Sequence, residues 1–443
     1  MLRGVLFSLG LLSGTILSQS AFADTATLQI IVSKDKQSMT VYDGETVVQT
    51  TKVSTGKAGH TTPSGIFSIL EKRKYHESNI YSNAPMPFMQ RLTWSGIALH
   101  EGHVPNYPAS HGCVRIPPGT AKTIFDMTDR GVHVVISDAP VAPVKIDNAN
   151  LFMPLKPSPN SPFMSDVDLR PTVMKKASDG PYRVAMAGTD PMTTGSLQAV
   201  VPEDAPPLRI LVHRRGARET MMDVQSLLLG LGFDAGAADG IPGPMTRDAI
   251  AGYKRWKGLP LNGPLVSKEF LAALYHSAGQ EAAPAGQILV RRSFEPLFEA
   301  PVGIKDPERA LGTHFYTADH IKRDAETAEW HAVTLENKLT ADEMRDLGIE
   351  KAADASQPNA AAAALDRLEI PKDVREEIAV LMTNGTSLTI TDQGLGPETG
   401  KGTDFVTLTK SEASLVQAQP AQSSQKPARR SKRDSYVGGI GLY

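Results

Sequence analysis

The sequence predicts a multidomain chain with a β-rich N-terminal domain, a small three-helix domain and a C-terminal domain of mixed α/β type. Three observations carry this expectation. At 443 residues the chain is long enough for about three domains. Its hydrophobic fraction of 41% and charged fraction of 21% are those of globular proteins, which excludes a wholly disordered, collagen-like or polytopic membrane chain. The hydrophobic period also changes twice, from strand-like runs to helical spacing near residue 219 and back near residue 288.

The first 23 residues read as a secretory signal peptide. Arg3 supplies a positive charge, residues 5–17 are mostly apolar and too short to span a bilayer comfortably, and Ala21-Phe22-Ala23 fits a small-residue cleavage site before Asp24. The expected location is the periplasm, with no transmembrane segment after signal cleavage.

Residues 26–138 are expected to form the β-rich domain. Strands are predicted over 28–32, 39–42, 46–50, 66–70, 97–99 and 132–136, with Asp43-Gly44 marking a hairpin. One helix is predicted over 121–129, after Pro117-Pro118 and before Gly131. Residues 139–208 hold 12 of the 32 prolines and show no sustained period, which predicts an extended linker.

Helical periodicity then returns. Thr220 and Asp223 have capping-box spacing, and Val224, Leu227, Leu228 and Leu231 fall on one helical face. Further helices are predicted around Met245, Ala249, Tyr253 and Trp256 and over 267–275, giving a module over 217–276. Residues 287–411 alternate strand and helix signals, with strands at 288–290, 314–317, 388–391 and 405–409 and a helix from Pro371 through Leu381. No function for this domain is legible. The cluster Gly394, Gly396, Gly400, Lys401, Gly402 lacks phosphate-loop spacing and reads as a loop. The Gln/Ser/Pro-rich tail, 412–443, is expected to be disordered.

The formal charge of −2 provides no basic field for nucleic acid, so no nucleic-acid partner is expected. A single cysteine excludes an internal disulfide, a CxxC redox pair and a multi-cysteine zinc site. That cysteine stands in Ser110-His111-Gly112-Cys113-Val114-Arg115, with His100 and His103 upstream. Imidazole and guanidinium groups near a thiol favour the nucleophilic thiolate, and amides around Gly112 and Cys113 suit a developing oxyanion. Two other readings of the same residues are an inert buried thiol and a zinc site built from His100, His103, His111 and Cys113.

The segment Ser110–Arg115, preceded by Ile97-Ala98-Leu99-His100 and Thr62-Pro63-Ser64-Gly65-Ile66-Phe67 and closed by Gly131 and Val134, resembles the YkuD-type L,D-transpeptidase catalytic domain of bacterial cell walls. The resemblance implies Cys113 as nucleophile, His100 as proton acceptor and donor, and His111 as a residue that shapes the site and helps hold the thiolate. His103 is an alternative base. Arg115 would grip a stem-peptide carboxylate, with Ser110 and Gly112 completing the substrate-binding set. No cofactor and no metal are implied.

The helical module is similar to peptidoglycan-binding modules through Asp223-Val224-Gln225, Leu231-Gly232-Phe233, Asp239-Gly240, Gly243, Thr246 and Ala249-Ile250. Lys254 stands where Gln is common. A spacer that binds nothing is the alternative. Together the resemblances imply a periplasmic transpeptidase whose partners are peptidoglycan stem peptides and whose product is a 3-3 cross-link. Water would make it an L,D-carboxypeptidase, and an envelope protein as acyl acceptor would make it a wall-attachment enzyme. A non-catalytic peptidoglycan-binding protein is the reading from another class.

Overall fold

The computed structural model describes residues 27–78, 83–156, 202, 205–280, 283–400 and 402–412. The signal peptide, most of the expected linker and nearly all of the expected tail lie outside these residues.

The β-rich domain contains β1 (Leu28–Ser33), β2 (Ser38–Asp43), β3 (Thr46–Lys52), β4 (Ser64–Ser68), β5 (Glu71–Arg73), β6 (Met89–Arg91), β7 (Ala98–Glu101) and β8 (Val114–Ile116). Helix α1 (Thr120–Met127) and strand β9 (His133–Ser137) follow. One sheet runs β4-β9-β1-β2-β3, and β1 and β9 are parallel, both read as near-continuous apolar runs because both their faces are covered. The second sheet runs β5-β6-β7-β8. Ile30, Val32, Phe67, Leu99, Ile124, Val134 and Ile136 fill the core that includes both sheets and α1. Helix α1 begins one residue earlier than predicted and stops at Met127, two before the predicted end.

The structure departs from the expected linker at both ends. Strand β10 (Val144–Ile146) is already part of the next sheet, and β11 (Leu208–Arg214) is one of its interior strands. Phe152 is fully buried in the C-terminal core, where its carbonyl accepts from Trp330 Nε1 at 2.9 Å. Burying such a ring contributes about 1.5–3 kcal/mol, enough to fix a proline-rich segment that lacks any periodic signal. Proline content therefore marked a segment that wraps the following domain at its ends.

The helical module consists of α2 (Ala217–Gly230), α3 (Pro244–Lys257) and α4 (Lys268–Ser277). Helix α2 starts before the predicted Thr220 cap: the Glu219 carboxylate accepts from the Gly216 N–H at 2.9 Å, and Asp223 serves elsewhere. Val224, Leu228, Ala249, Tyr253, Phe270 and Leu274 form the core of the module.

The C-terminal domain continues with β12 (Gly286–Arg292), β13 (Glu295–Ile304), β14 (Thr313–Lys322) and β15 (Thr327–Leu335), then α5 (Ala341–Asp346) and α6 (Ala360–Leu365). It ends with β16 (Leu368–Glu369), α7 (Lys372–Leu381), β17 (Ser387–Thr391) and β18 (Thr407–Thr409). Its sheet has the order β10-β15-β14-β17-β11-β12-β13-β16, so the helical module is inserted between neighbouring antiparallel strands β11 and β12. The mixed α/β domain thus starts at residue 144, interrupted by the module, where the sequence predicts a start at 287. Strand β18 leaves this sheet and pairs with β4 as the edge of the first sheet. The two large sheets meet through Ile31, Ile66 and Val135 on one side and Phe315, Val333 and Leu335 on the other.

Candidate active site

Parallel strands β7 and β8 place the expected catalytic residues. Leu99 pairs with Val114 and His100 with Arg115, so one further pair back in register Cys113 lies opposite Ala98. Alternation then sorts the side chains. Leu99 and Val114 enter the core, whereas Ala98, His100, Cys113 and Arg115 share the opposite face. Met86, Met89 and Ala98 form the apolar wall against which Cys113 packs.

The turn that presents Cys113 is fixed from behind. Ser110, only 1% exposed, donates from Oγ to the Cys113 carbonyl at 2.5 Å and accepts from the Gly112 N–H at 3.1 Å. Gly112 has φ +121, a conformation that favours glycine, and a Cβ there would meet Ile97 Cδ1 at 3.0 Å. Thr62 Oγ1 donates to the Gly112 carbonyl at 2.7 Å and accepts from the Gly56 N–H at 2.8 Å. The Ser110 hydroxyl thus both donates and accepts inside the turn and positions the loop, and the Gly112 N–H is engaged by it.

Electrostatics make the resting pair neutral. Burial pushes the Cys113 thiol pKa up, and this outweighs the Ala98 backbone hydrogen bond, Arg115 and Arg91, which pull it down. The thiol faces the Gly96 carbonyl at 3.4 Å as a donor. The expectation that neighbouring cations lower this pKa overlooked the apolar wall. Burial also lowers His100 to about 4, with the Glu101 carbonyl opposing and Arg115 reinforcing the shift. His100 Nδ1 lies 2.7 Å from that carbonyl, and a neutral ring donating there keeps Nε2 as a proton acceptor.

The other histidines are more exposed. His103 lies past the end of β7, and the exposed His111 ring packs edge-to-face on His60 at 4.8 Å between centroids. Slight burial followed by the charges of Lys57, His60 and Arg115 lowers the His111 pKa. Among the described residues, no three of His100, His103, His111 and Cys113 bring ligand atoms within 4.8 Å of one another; Asp319, His320 and Glu329 do. Arg115 has no carboxylate partner within 4 Å among the described residues, and its stem passes Gly102, where a Cβ would meet Arg115 Cγ at 3.1 Å.

Sequence reasoning missed Lys57, His60, Trp94 and the role of Thr62. A hydroxyl directly before Pro63, upstream of the cysteine-bearing loop, is the available signal for Thr62. Trp94 is exposed next to Gly96, with the Arg91 guanidinium 5.5 Å from its ring centroid.

In the helical module the recognised motif residues serve the fold. Gln225 Nε2 donates to Asp239 Oδ1, the Ile241 carbonyl and Thr246 Oγ1, and its Oε1 accepts from the Gly240 N–H at 2.8 Å. Asp223 accepts from Arg215 at 2.5 and 2.7 Å and from the Tyr275 hydroxyl. Lys254 is buried, with Nζ donating to the Pro264 carbonyl at 3.0 Å. Outward-facing apolar groups include Ile241, Met245, Trp256 and Leu261.

Residues 28–136 match the family model of the L,D-transpeptidase catalytic domain, YkuD. Residues 217–274 match that of a putative peptidoglycan binding domain. The chain is similar to a solved L,D-transpeptidase from Mycobacterium smegmatis, at 23% identity over 25% of this chain and 59% of that one, with TM-score 0.24. It is also similar to one from Xylanimonas cellulosilytica, at 26% identity over 25% of this chain and 59% of that one, with TM-score 0.24. A third, from Stackebrandtia nassauensis, has 27% identity over 28% of this chain and 60% of that one, with TM-score 0.23. The chain therefore spans less than two thirds of the length of these relatives. No curated protein matches it.

Proposed function

We propose that this chain, in which a YkuD-type L,D-transpeptidase catalytic domain is joined to a peptidoglycan-binding domain, forms 3-3 cross-links in peptidoglycan through a Cys113 acyl-enzyme. The observation that carries the reading is the common face of β7 and β8. It carries a neutral imidazole with an acceptor nitrogen, a partly buried thiol and a guanidinium without a carboxylate partner.

Cys113 Sγ attacks the carbonyl of the third residue of a tetrapeptide stem while His100 Nε2 takes the thiol proton. The tetrahedral intermediate collapses to a thioester as His100 returns that proton to the departing D-alanine amine. A second amine, the side chain of a neighbouring stem's diamino acid, then attacks the thioester, giving its proton to His100, and the thiol is regenerated. Coupling the two proton movements to a pair that rests neutral avoids a buried ion pair before substrate arrives. The Cys113 amide is the remaining oxyanion donor of the expected pair. Arg115 and Lys57 give the approach a positive character suited to a stem carboxylate. The module's exposed Trp256 face serves wall binding.

Incubating purified protein with tetrapeptide muropeptides and reading product masses tests this proposal. Loss of D-alanine with dimer formation is expected. Loss without dimers would identify water as the acceptor, a mass adduct on an envelope protein would identify attachment, and unchanged muropeptides with Cys113 intact would leave a binding protein. Export belongs to the same proposal, and N-terminal sequencing of the mature protein should start near Asp24. Among the described residues no helix is long and apolar enough to cross a membrane.

A further inference from the structure

The residues that follow β17 cross from the C-terminal sheet to the catalytic one. The glycine cluster carries the turn, where the Gly400 N–H donates to Thr403 Oγ1 at 2.7 Å. Beyond it, Thr407, Leu408 and Thr409 pair with Ile66, Gly65 and Ser64. The fit is close: Gly65 has φ +151, and a Cβ there would lie 2.2 Å from the Thr407 carbonyl oxygen. Val406, 3% exposed, belongs to the catalytic core itself.

Buried polar groups lock the crossing. The Asp404 carboxylate accepts from Arg209 Nε at 3.0 Å and from Ser68 Oγ on β4 at 2.9 Å. Arg209 also donates to the Gly131 carbonyl at 2.7 Å, in the loop before β9. Past the strand, the Ser411 hydroxyl donates to Asp138. Asp138 pairs with Lys34 at 2.8 Å and accepts from Ser64 Oγ at 3.2 Å. Lys34 Nζ donates to the Thr62 carbonyl at 3.2 Å, and the Thr62 hydroxyl holds Gly112 beside the thiol. A continuous series of hydrogen bonds and one ion pair therefore runs from Ser411 to the Cys113 turn.

We propose that residues 404–411 are a positioning element of the active site, supplied by the C-terminal domain, that holds the Cys113 turn through β4, Asp138, Lys34 and Thr62. The proposal rests on the reading of Cys113 as nucleophile and gives the domain without a legible function a role in that site. Physical continuity is its basis, and a docked or loosened strand is the two-state element that would transmit it.

Cys113 is the only thiol in the chain, so alkylation by iodoacetamide, followed by intact mass, reads its environment without any substrate. Full-length Asp404→Asn and Ser411→Ala are compared with Ser411→Thr and with Ile378→Val, a small cavity in the C-terminal core distant from β18 in sequence and sheet. Both test variants are expected to speed alkylation at neutral pH and move its pH midpoint toward that of an ordinary cysteine. D-alanine release should slow by up to about 10²-fold, the cost of misplacing a reacting group by about 1 Å. Ser411→Thr should restore both values, and Ile378→Val should leave the midpoint in place. Wild-type midpoints in Asp404→Asn and Ser411→Ala, or an equal shift in Ile378→Val, would overturn the proposal. If Asp404→Asn fails to fold, Ser411→Ala, which removes one hydroxyl, decides. If the wild type releases no D-alanine, the transpeptidase reading fails while the alkylation result still judges the positioning one.

Discussion

Thr62 and Gly112 are joined by a 2.7 Å hydrogen bond from a buried hydroxyl to the carbonyl one residue before Cys113. The same oxygen accepts from Gly56, so one side chain ties two loops that are remote in sequence. Thr62→Val keeps the shape and removes both bonds, leaving a buried carbonyl and a buried amide unsatisfied. It should destabilise the protein by about 2 kcal/mol in denaturant unfolding. D-alanine release should fall more than stability alone explains, and Thr62→Ser should recover most of both.

His100 sets an acid limit to stability. Burial holds it at about 4 when folded, against an ordinary value of 6.5. The unfolded chain thus binds the proton more tightly, and the contribution is complete above pH 6.5 and lost as pH falls through the folded value near 4. His314 is lowered to about 4 by burial as well. Each is worth on the order of 3 kcal/mol at most. Thermal melts should be flat above neutrality in this respect and fall steeply between pH 6.5 and 4. His314→Gln should make that fall shallower; an unchanged slope would refute the assignment.

The raised Cys113 pKa predicts slow alkylation at neutral pH, with a rate still climbing beyond the range where an ordinary cysteine has levelled off. Stopped aliquots read by intact mass would show this. A neutral-pH rate equal to or above that of free cysteine would contradict a protonated resting thiol.

Replacing His100 by Gln should slow D-alanine release by about 10²–10⁴-fold, the usual range for losing a general base. His103→Gln should leave it within about twofold, because that ring lies past the end of β7. The opposite ranking of the two variants would move the base to His103.

Gln225→Ala should unfold the helical module separately. It removes a buried amide that serves four partners, a loss of about 2–4 kcal/mol if two or three buried groups are left unsatisfied. Sacculus pull-down should drop while the pH midpoint of Cys113 alkylation stays fixed. A coincident shift of that midpoint would mean that the module and the catalytic domain unfold together.

Most local structure was legible because its cause is local. Apolar runs at 28–32 and 132–136, the Asp43-Gly44 hairpin and the spacing of Val224, Leu227 and Leu228 each correspond to an observed element. The Ser110–Arg115 segment likewise located the thiol. What stayed hidden depends on partners far along the chain. The buried strand over 208–214 pairs with 286–292 and 387–391, and no window of the sequence contains those contacts. Strand β18 was readable as a strand but its sheet was not, since only Gly65, with its unusual φ, records the approach of Thr407. The backbone bonds of Ser110 were not legible, because a hydroxyl near Cys113 looks the same in sequence whether it faces outward or its own backbone. The thiol's direction of shift was missed for a similar reason: Met86 and Met89 reach it through the fold, whereas His100 and His111 are conspicuous in the string.

Because Arg214 and Gly286 face each other as register partners on β11 and β12, the helical module enters and leaves its host at one spot. It hangs on two adjacent strands, like a long loop closing a hairpin. A single proteolytic nick inside it leaves both halves tethered. Tension transmitted from a wall-bound module would load the two strands at the same end, peeling their hydrogen bonds one after another. Such a load falls first on the module's root, where Arg214 is clamped by the buried Asp392 carboxylate at 2.6 Å.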